Sequence, residues 1–354
     1  MTETLDITIN KTPQSRIHEV DFKNISFGEF YSDHMFIADY WDGQWKDLRI
    51  EPFRHLSMSP ANAALHYGQS IFEGMKAHRG PDDNALIFRP DKNAQRFNRS
   101  AVRMCMPEIP EDLFTGALAE LVRLDRDWIP QEDGTSLYLR PFMFASDEYI
   151  GVRPSLTYRF MIFTGPVGGY YNKPVKVKIE TKFVRAAEGG TGAAKTAGNY
   201  AASLYPAQLA AQQGYDQLIW TDAKTHTFIE EAGTMNIMLI IDNKLVTPPT
   251  SGTILEGVTR DSILELARHW GYPVEERKVT VHEIIDAIKN GRVQEAFGAG
   301  TAATVAHIST IGNEGVDYEL PPVKNREFSN KVLQEMEAIK RGRKEDPFGW
   351  IMKV

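Results

Sequence analysis

Lys195 stands in the segment GGTGAAKTAGNY, residues 189–200, among glycine, alanine and threonine, with no bulky side chain or carboxylate close by. A lysine on so bare a run lets the flat face of another molecule approach the backbone. A desolvated lysine can lose its proton near neutral pH and attack an aldehyde as a nucleophile. A flexible surface loop carrying a solvated lysine fits the segment equally well. Residues 189–196 also approach the phosphate-cradling pattern G-x-x-x-x-G-K-[ST], but Ala194 replaces the second glycine whose backbone must wrap the phosphates. Glu231 opens the run EAGTMN ahead of the apolar MLII, and a carboxylate entering a buried strand needs a cationic partner. That partner could be a salt-bridging side chain or a protonated ring nitrogen. Gly257-Val-Thr-Arg260 leads into the helical DSILELARHW, whose free N–H groups would hold a phosphate. Gly298-Ala-Gly-Thr301 offers a second backbone cradle.

These residues need a scaffold to hold them, and 354 residues suffice for about two domains. Hydrophobic residues make up 42% and charged residues 25%, which excludes a disordered or low-complexity chain. A net charge of −7 with scattered Lys and Arg argues against nucleic acid, and no apolar run approaches a membrane span. The single cysteine, Cys105, excludes an internal disulfide and any multi-cysteine metal site, so no metal is expected. The polar start, MTETLDITINK, gives no export signal, and a reducing cytoplasm is the expected location.

MFIADYWDGQW reads as a hairpin turning at Asp-Gly, and SLYLRPFMFA, YRFMIFTGPV, VKVKIETKFV, QLIWTD and MNIMLII read as strands. Helices are expected from Asp91 as cap to about Cys105, and over 111–128, 200–213, 259–270 and 281–290. Thr280 and Glu283 have capping-box spacing, and Phe328, Val332, Met336 and Ile339 share one side of a final helix. Cys105 is expected to be a buried packing group. Strands and helices lack regular βαβ alternation, which predicts α+β rather than a doubly wound sheet.

The order Tyr67-Gly-Gln-Ser-Ile-Phe-Glu-Gly74, Arg96 in NAQRFNRSA, Tyr138-Leu-Arg140-Pro, Lys195-Thr-Ala-Gly-Asn-Tyr200, Glu231-Ala-Gly-Thr-Met-Asn236 and Gly298-Ala-Gly-Thr301 resembles the branched-chain amino acid aminotransferases. The resemblance runs from about residue 27 to the C-terminus. It implies a two-domain fold-type IV enzyme, D-amino acid aminotransferase-like, with pyridoxal 5′-phosphate between the domains. The expected division is a smaller α+β domain over 1–164, an interdomain loop at 165–176 and a larger cofactor-binding domain over 177–354. The implied reaction is reversible ping-pong amino transfer between leucine, isoleucine or valine and 2-oxoglutarate.

The same resemblance implies residue roles. Lys195 would carry the cofactor and shuttle the substrate proton between Cα and C4′, and Glu231 would pair with the pyridine nitrogen. Tyr200 would bond the phenolic oxygen, while Arg96, the backbone at Val258 and Thr259, and Thr301 would hold the phosphate. Thr301 and the Ala302 N–H would meet the substrate α-carboxylate. Tyr67, Phe72, Tyr138 and Tyr170 would line the side-chain pocket, and Arg140 would receive glutamate's distal carboxylate. Some animal members carry a C-x-x-C pair where this chain has Ala303 and Ala306, so that thiol switch is absent. A homodimer is implied by the resemblance alone. The alternatives are D-amino acid aminotransferase, aminodeoxychorismate lyase and, from the phosphate-loop near-match, a nucleotide-binding ATPase.

Overall fold

The computed structural model describes residues 5–169 and 173–354. Contacts divide the chain into two compact units. The first holds Met1–Tyr170, Ala194–Ala197 and Ala338–Val354, and the second holds Tyr171–Ala193 and Gly198–Glu337. The returns at Ala194–Ala197 and Ala338–Val354 are not in the expected single division at 165–176.

In the first unit the chain runs β1 (Thr8–Ile9), β2 (His34–Trp41), β3 (Gln44–Pro52), α1 (Ala63–Tyr67), β4 (Ser70–Phe72), β5 (Met75–Arg79) and β6 (Ala85–Phe88). It continues through α2 (Pro90–Arg103), α3 (Glu111–Leu124), β7 (Ser136–Ala145) and β8 (Tyr158–Val167). The hairpin between β2 and β3 turns at Asp42 and Gly43, with φ of 52° and 75°, as the Asp-Gly pair predicts. With the C-terminal strand (Ile351–Lys353), which pairs with β6, these strands make one sheet. Side chains alternate across it. Phe36 and Phe160 point to a core shared with Phe97 of α2 and Phe114 of α3, while Met35, Ile37 and Met161 fill a smaller cluster. Both faces of β2 are therefore buried over His34–Ala38.

Three local expectations fail here. The cap of α2 is Arg89, at φ 48°, with Pro90 in the first turn, rather than Asp91. Cys105 is exposed, because the helix stops at Arg103 and the cysteine turns left-handed at φ 53°. The helix expected over 111–128 also ends early, at Leu124. Asp125 turns its carboxylate to His34, accepting from the backbone N–H at 3.0 Å and meeting Nδ1 at 2.6 Å, and only a 3-10 turn follows.

The second unit contains β9 (Val175–Glu180), α4 (Ala197–Gln212), β10 (Gln217–Thr221), β11 (Ile229–Ala232), β12 (Met235–Ile241) and β13 (Lys244–Thr247). After these come α5 (Val258–His269), β14 (Val274–Glu276), α6 (Val281–Lys289), β15 (Val293–Ala299), β16 (Ala306–Asn313), β17 (Val316–Glu319) and α7 (Glu327–Lys340), whose residues from Ala338 on belong to the first unit, as does the C-terminal strand, β18. The sheet order is β11-β10-β9-β16-β15-β12-β13-β14, and β11 also pairs with β12. That extra pairing closes six strands into a ring around Val177, Ile219, Ile237, Leu239 and Ile308, all buried. Thr280 caps α6 by accepting from the Glu283 N–H, and Phe328, Val332, Met336 and Ile339 are buried, as their spacing predicts.

Asp222, in the turn from β10 to β11, offers a measurable stability term. Burial would push its carboxyl up, but N–H donors at Phe228, Thr225 and Thr227 and the Thr225 hydroxyl hold it down to about 2. Its stabilisation is therefore complete above the ordinary value near 4 and disappears as the pH falls through about 2. Because the group is partly solvated, we expect about 1 kcal/mol. Urea titrations of Asp222→Asn and the parent chain should differ by that amount at pH 6 and converge from pH 4 towards pH 2. A constant gap across that range would refute the assignment.

Candidate active site

Around Lys195 the first unit fixes the backbone on both sides. The Lys195 N–H donates to Ser100 Oγ of α2 at 3.0 Å, and its carbonyl accepts from the Phe72 N–H at 3.0 Å. Thr196 bridges to Ile71, and its hydroxyl donates to the Ser70 carbonyl at 2.7 Å. Lys195 and Thr196 thus lie along β4 like a short extra strand. The Lys195 Nζ rests 4.6 Å from the centre of the Phe72 ring. The Arg140 guanidinium lies 4.9 Å from the same ring and donates to the Tyr138 hydroxyl at 2.9 Å. Gly74 makes room for that hydroxyl, since a Cβ there would collide with it. The fold therefore brings Lys195, Phe72, Tyr138 and Arg140 together. Tyr67 ends α1 and is 41% exposed, whereas Tyr170 lies outside the described residues.

Arg96 is buried and forks onto Glu73, from Nε to Oε1 at 2.7 Å and from Nη2 to Oε2 at 2.8 Å. Glu73 is fully buried, so this is an interior ion pair of bidentate geometry. The Arg96 carbonyl accepts from the Ser100 hydroxyl, whose oxygen receives the Lys195 N–H. The pair is thus joined to the lysine through one turn of α2.

In the second unit, strand pairing aligns Glu231 of β11 with Asn236 of β12, and Asn236 with Ala299 of β15. Gly300, Thr301 and Ala302 follow directly from that row. Asn236 Nδ2 donates to Glu231 Oε1 at 3.1 Å and to the Leu255 carbonyl at 2.9 Å, and the Leu255 N–H reaches Oε1 at 3.3 Å. A Cβ on Gly257 would collide with Asn236 Oδ1, so only glycine brings the start of α5 this close. No side chain caps that helix, whose first turn holds Val258 and Thr259. Arg260 turns instead to Glu276 and the Pro248 carbonyl. A concavity is lined by Arg185, Tyr200, Ser203, Glu231, Thr234 and Leu255.

This donor set suits pyridoxal phosphate. A buried carboxylate is available for a ring nitrogen, a phenol beside it for a ring hydroxyl, and an uncapped helix start for a phosphate. Asp242 and Asn243 form a left-handed hairpin turn between β12 and β13, at φ of 49° and 59°.

Residues 70–311 match the family model described as amino-transferase class IV. A branched-chain-amino-acid aminotransferase 2 of Bacillus subtilis is 44% identical over 99% of this chain and 96% of its own. The branched-chain-amino-acid transaminase 1 of the same organism is also 44% identical, over 94% and 95%. The branched-chain amino acid aminotransferase of Escherichia coli superposes with a TM-score of 0.72 at 26% identity, covering 90% of this chain and 98% of its own. A T.th. branched-chain amino acid aminotransferase complexed with N-(5′-phosphopyridoxyl)-L-glutamate gives 0.72 at 25% identity, covering 90% and 97%. The fold is that of a fold-type IV transferase of amino groups. The chain belongs to the branched-chain-amino-acid aminotransferase family.

Glu73, Arg185 and Asn236 carry no role in the sequence reading. The rule that demanded a cation for Glu231 applies equally to Glu73, which sits between Phe72 and the strand β5, and would have pointed to an arginine. Replacing Glu73 by Gln leaves the buried Arg96 charge without its carboxylate, which costs about 3 kcal/mol. Urea unfolding of the cofactor-free chain should read that loss, and a change below about 1 kcal/mol would mean the pair is solvated.

Proposed function

We propose that this chain is a branched-chain L-amino-acid transaminase that exchanges amino groups between leucine, isoleucine or valine and 2-oxoglutarate, using pyridoxal 5′-phosphate. The observation that carries the reading is a backbone-clamped lysine and a buried, multiply bonded glutamate on a chain 44% identical over nearly its full length to such an enzyme. Bound to these residues, the cofactor supplies the electron sink that makes loss of a Cα proton feasible. Lys195 would hold it covalently and, once its amine is released by substrate, take the Cα proton and return it at C4′. Glu231 would keep the ring nitrogen protonated, and Tyr200 would bond the ring hydroxyl. Val258, Thr259, Thr301 and Arg96 would hold the phosphate, and Thr301 with the Ala302 N–H the substrate α-carboxylate. Tyr67, Phe72, Tyr138 and Tyr170 would bound the apolar pocket.

The enzyme would act as a homodimer. Ile150, Val152 and Leu156, between β7 and β8, are 60%, 90% and 70% exposed, an arrangement a second copy would cover. A cytoplasmic location agrees with the single cysteine, and among the described residues no helix is long and apolar enough to cross a membrane. Borohydride reduction of the loaded enzyme followed by peptide mapping should place the pyridoxyl label on Lys195. A label on another lysine ends this reading.

Arg140 answers the requirement that one pocket accept both leucine and glutamate. Its Nε is buried without an acceptor among the described residues, and Phe72 and Tyr138 stack against the guanidinium. A distal carboxylate would satisfy that donor, whereas leucine would leave it as it stands. Arg140→Met should slow the glutamate half-reaction by about 10- to 150-fold, the equivalent of one charged hydrogen bond, and the leucine half-reaction far less. Single-turnover rates with each substrate measure this, and equal losses would assign Arg140 to the fold.

A further inference from the structure

Glu231 has a charged neighbour that the proposed chemistry does not use. Arg185 Nε lies 2.5 Å from Glu231 Oε2, and both side chains are at least nine-tenths buried. The approach is a charge contact, because Nε makes no aligned hydrogen bond there. The far end of the guanidinium is anchored instead, with Nη2 donating to the Gly192 carbonyl at 2.9 Å and to the Thr253 carbonyl. Gly192 is tied into the same corner, since a Cβ on it would meet the Thr253 backbone at 2.8 Å. The other oxygen of Glu231 is held by Asn236 and the Leu255 N–H.

A second carboxyl shares this corner. Glu230 Oε1 accepts from the Thr253 hydroxyl at 2.6 Å, and its Oε2 is buried with no partner among the described residues. Burial pushes Glu230 up, opposed by the Thr253 hydroxyl and the Arg185 charge. One guanidinium thus acts on two carboxyls, by direct contact with Glu231 and, at Glu230, through its charge and the shared Thr253.

We propose that Arg185 is the positioning residue that keeps the Glu231 carboxylate charged and aimed before and after the cofactor arrives. The inference rests on the proposed function. A proton between Glu231 and a ring nitrogen can sit on either. Arg185 touches the carboxylate and lies farther from any ring the carboxylate can bond. Its attraction for the anion therefore outweighs its repulsion of the cation, and the proton is driven to the ring. Asn236 and Leu255 fix the direction, and Arg185 supplies the charge.

The test uses the full chain, stripped of cofactor and reloaded with pyridoxal phosphate carrying 15N in the ring, in the parent, Arg185→Met and Arg185→Lys forms. The parent should give the nitrogen shift of a protonated ring. Arg185→Met should move it towards the unprotonated value and weaken cofactor affinity by about tenfold or more, the effect of one charged contact. Arg185→Lys, which keeps the charge, should fall between. Unchanged shift and affinity in Arg185→Met overturn the proposal, as does a lysine variant as impaired as the methionine one. If Arg185→Met does not fold, the infrared difference between the cofactor-free parent and Glu231→Gln decides, an ionised carboxylate band supporting the proposal and a protonated one overturning it. A parent chain that takes up no cofactor at Lys195 removes the functional reading itself, which is a separate outcome.

Discussion

An ionised carboxylate cannot remain in a protein interior unless its charge is met where it sits, and this chain buries two of them at its site segments. Glu73 is met by Arg96 through two parallel hydrogen bonds, and Glu231 by Arg185 together with Asn236 and a backbone N–H. Much of the local architecture serves these pairings. The long helix α2 carries Arg96 to Glu73 and, one turn on, Ser100 to the Lys195 backbone. The β11–β12 pairing that closes the ring of strands sets Asn236 opposite Glu231. Removing either pair would disturb backbone positions as well as charge.

Glycine acts at the points of closest approach. At Gly74 and Gly257 any side chain would collide with a neighbour's polar atom, Tyr138 Oη in one case and Asn236 Oδ1 in the other. Neither position needs an unusual φ, so what glycine supplies there is the missing Cβ. The two collisions involve groups that orient, respectively, Arg140 and Glu231. The conformational freedom that glycine costs a strand or helix entry is exchanged here for placement of a charged side chain.

Much of this was legible in the sequence where a pattern is local. The strands β7 and β8 follow their alternation to the residue, because the side-chain period of two leaves little freedom in register. Lys195 and Glu231 stood out because their neighbours are so unlike them, small around one and apolar beyond the other. The end of α2 was not legible, since Met104-Cys105-Met106 contains neither glycine nor proline to mark a left-handed turn. The early stop of α3 depends on His34, which is distant in sequence from Asp125. Arg185 and Arg96 show the same limit, because what gives each its role is a carboxylate brought to it by the fold.

On the function proposed above, one pocket must treat two unlike side chains alike at Cα and tell them apart further out, and the first unit would separate these tasks by distance from the lysine. Next to Lys195 the contacts are to backbone and an aromatic face, which would be indifferent to a substrate's side chain. Phe72 presents that face to the lysine amine and also bears the Arg140 guanidinium. A ring quadrupole attracts a cation without demanding a fixed hydrogen-bond direction. In the proposed role Arg140 would therefore rest on Phe72 and the Tyr138 hydroxyl when the occupant is apolar. It would turn one donor to the occupant when that carries a carboxylate. A lysine at position 140 would keep the charge but lose the planar stack, and with it the resting place that makes the apolar state tolerable.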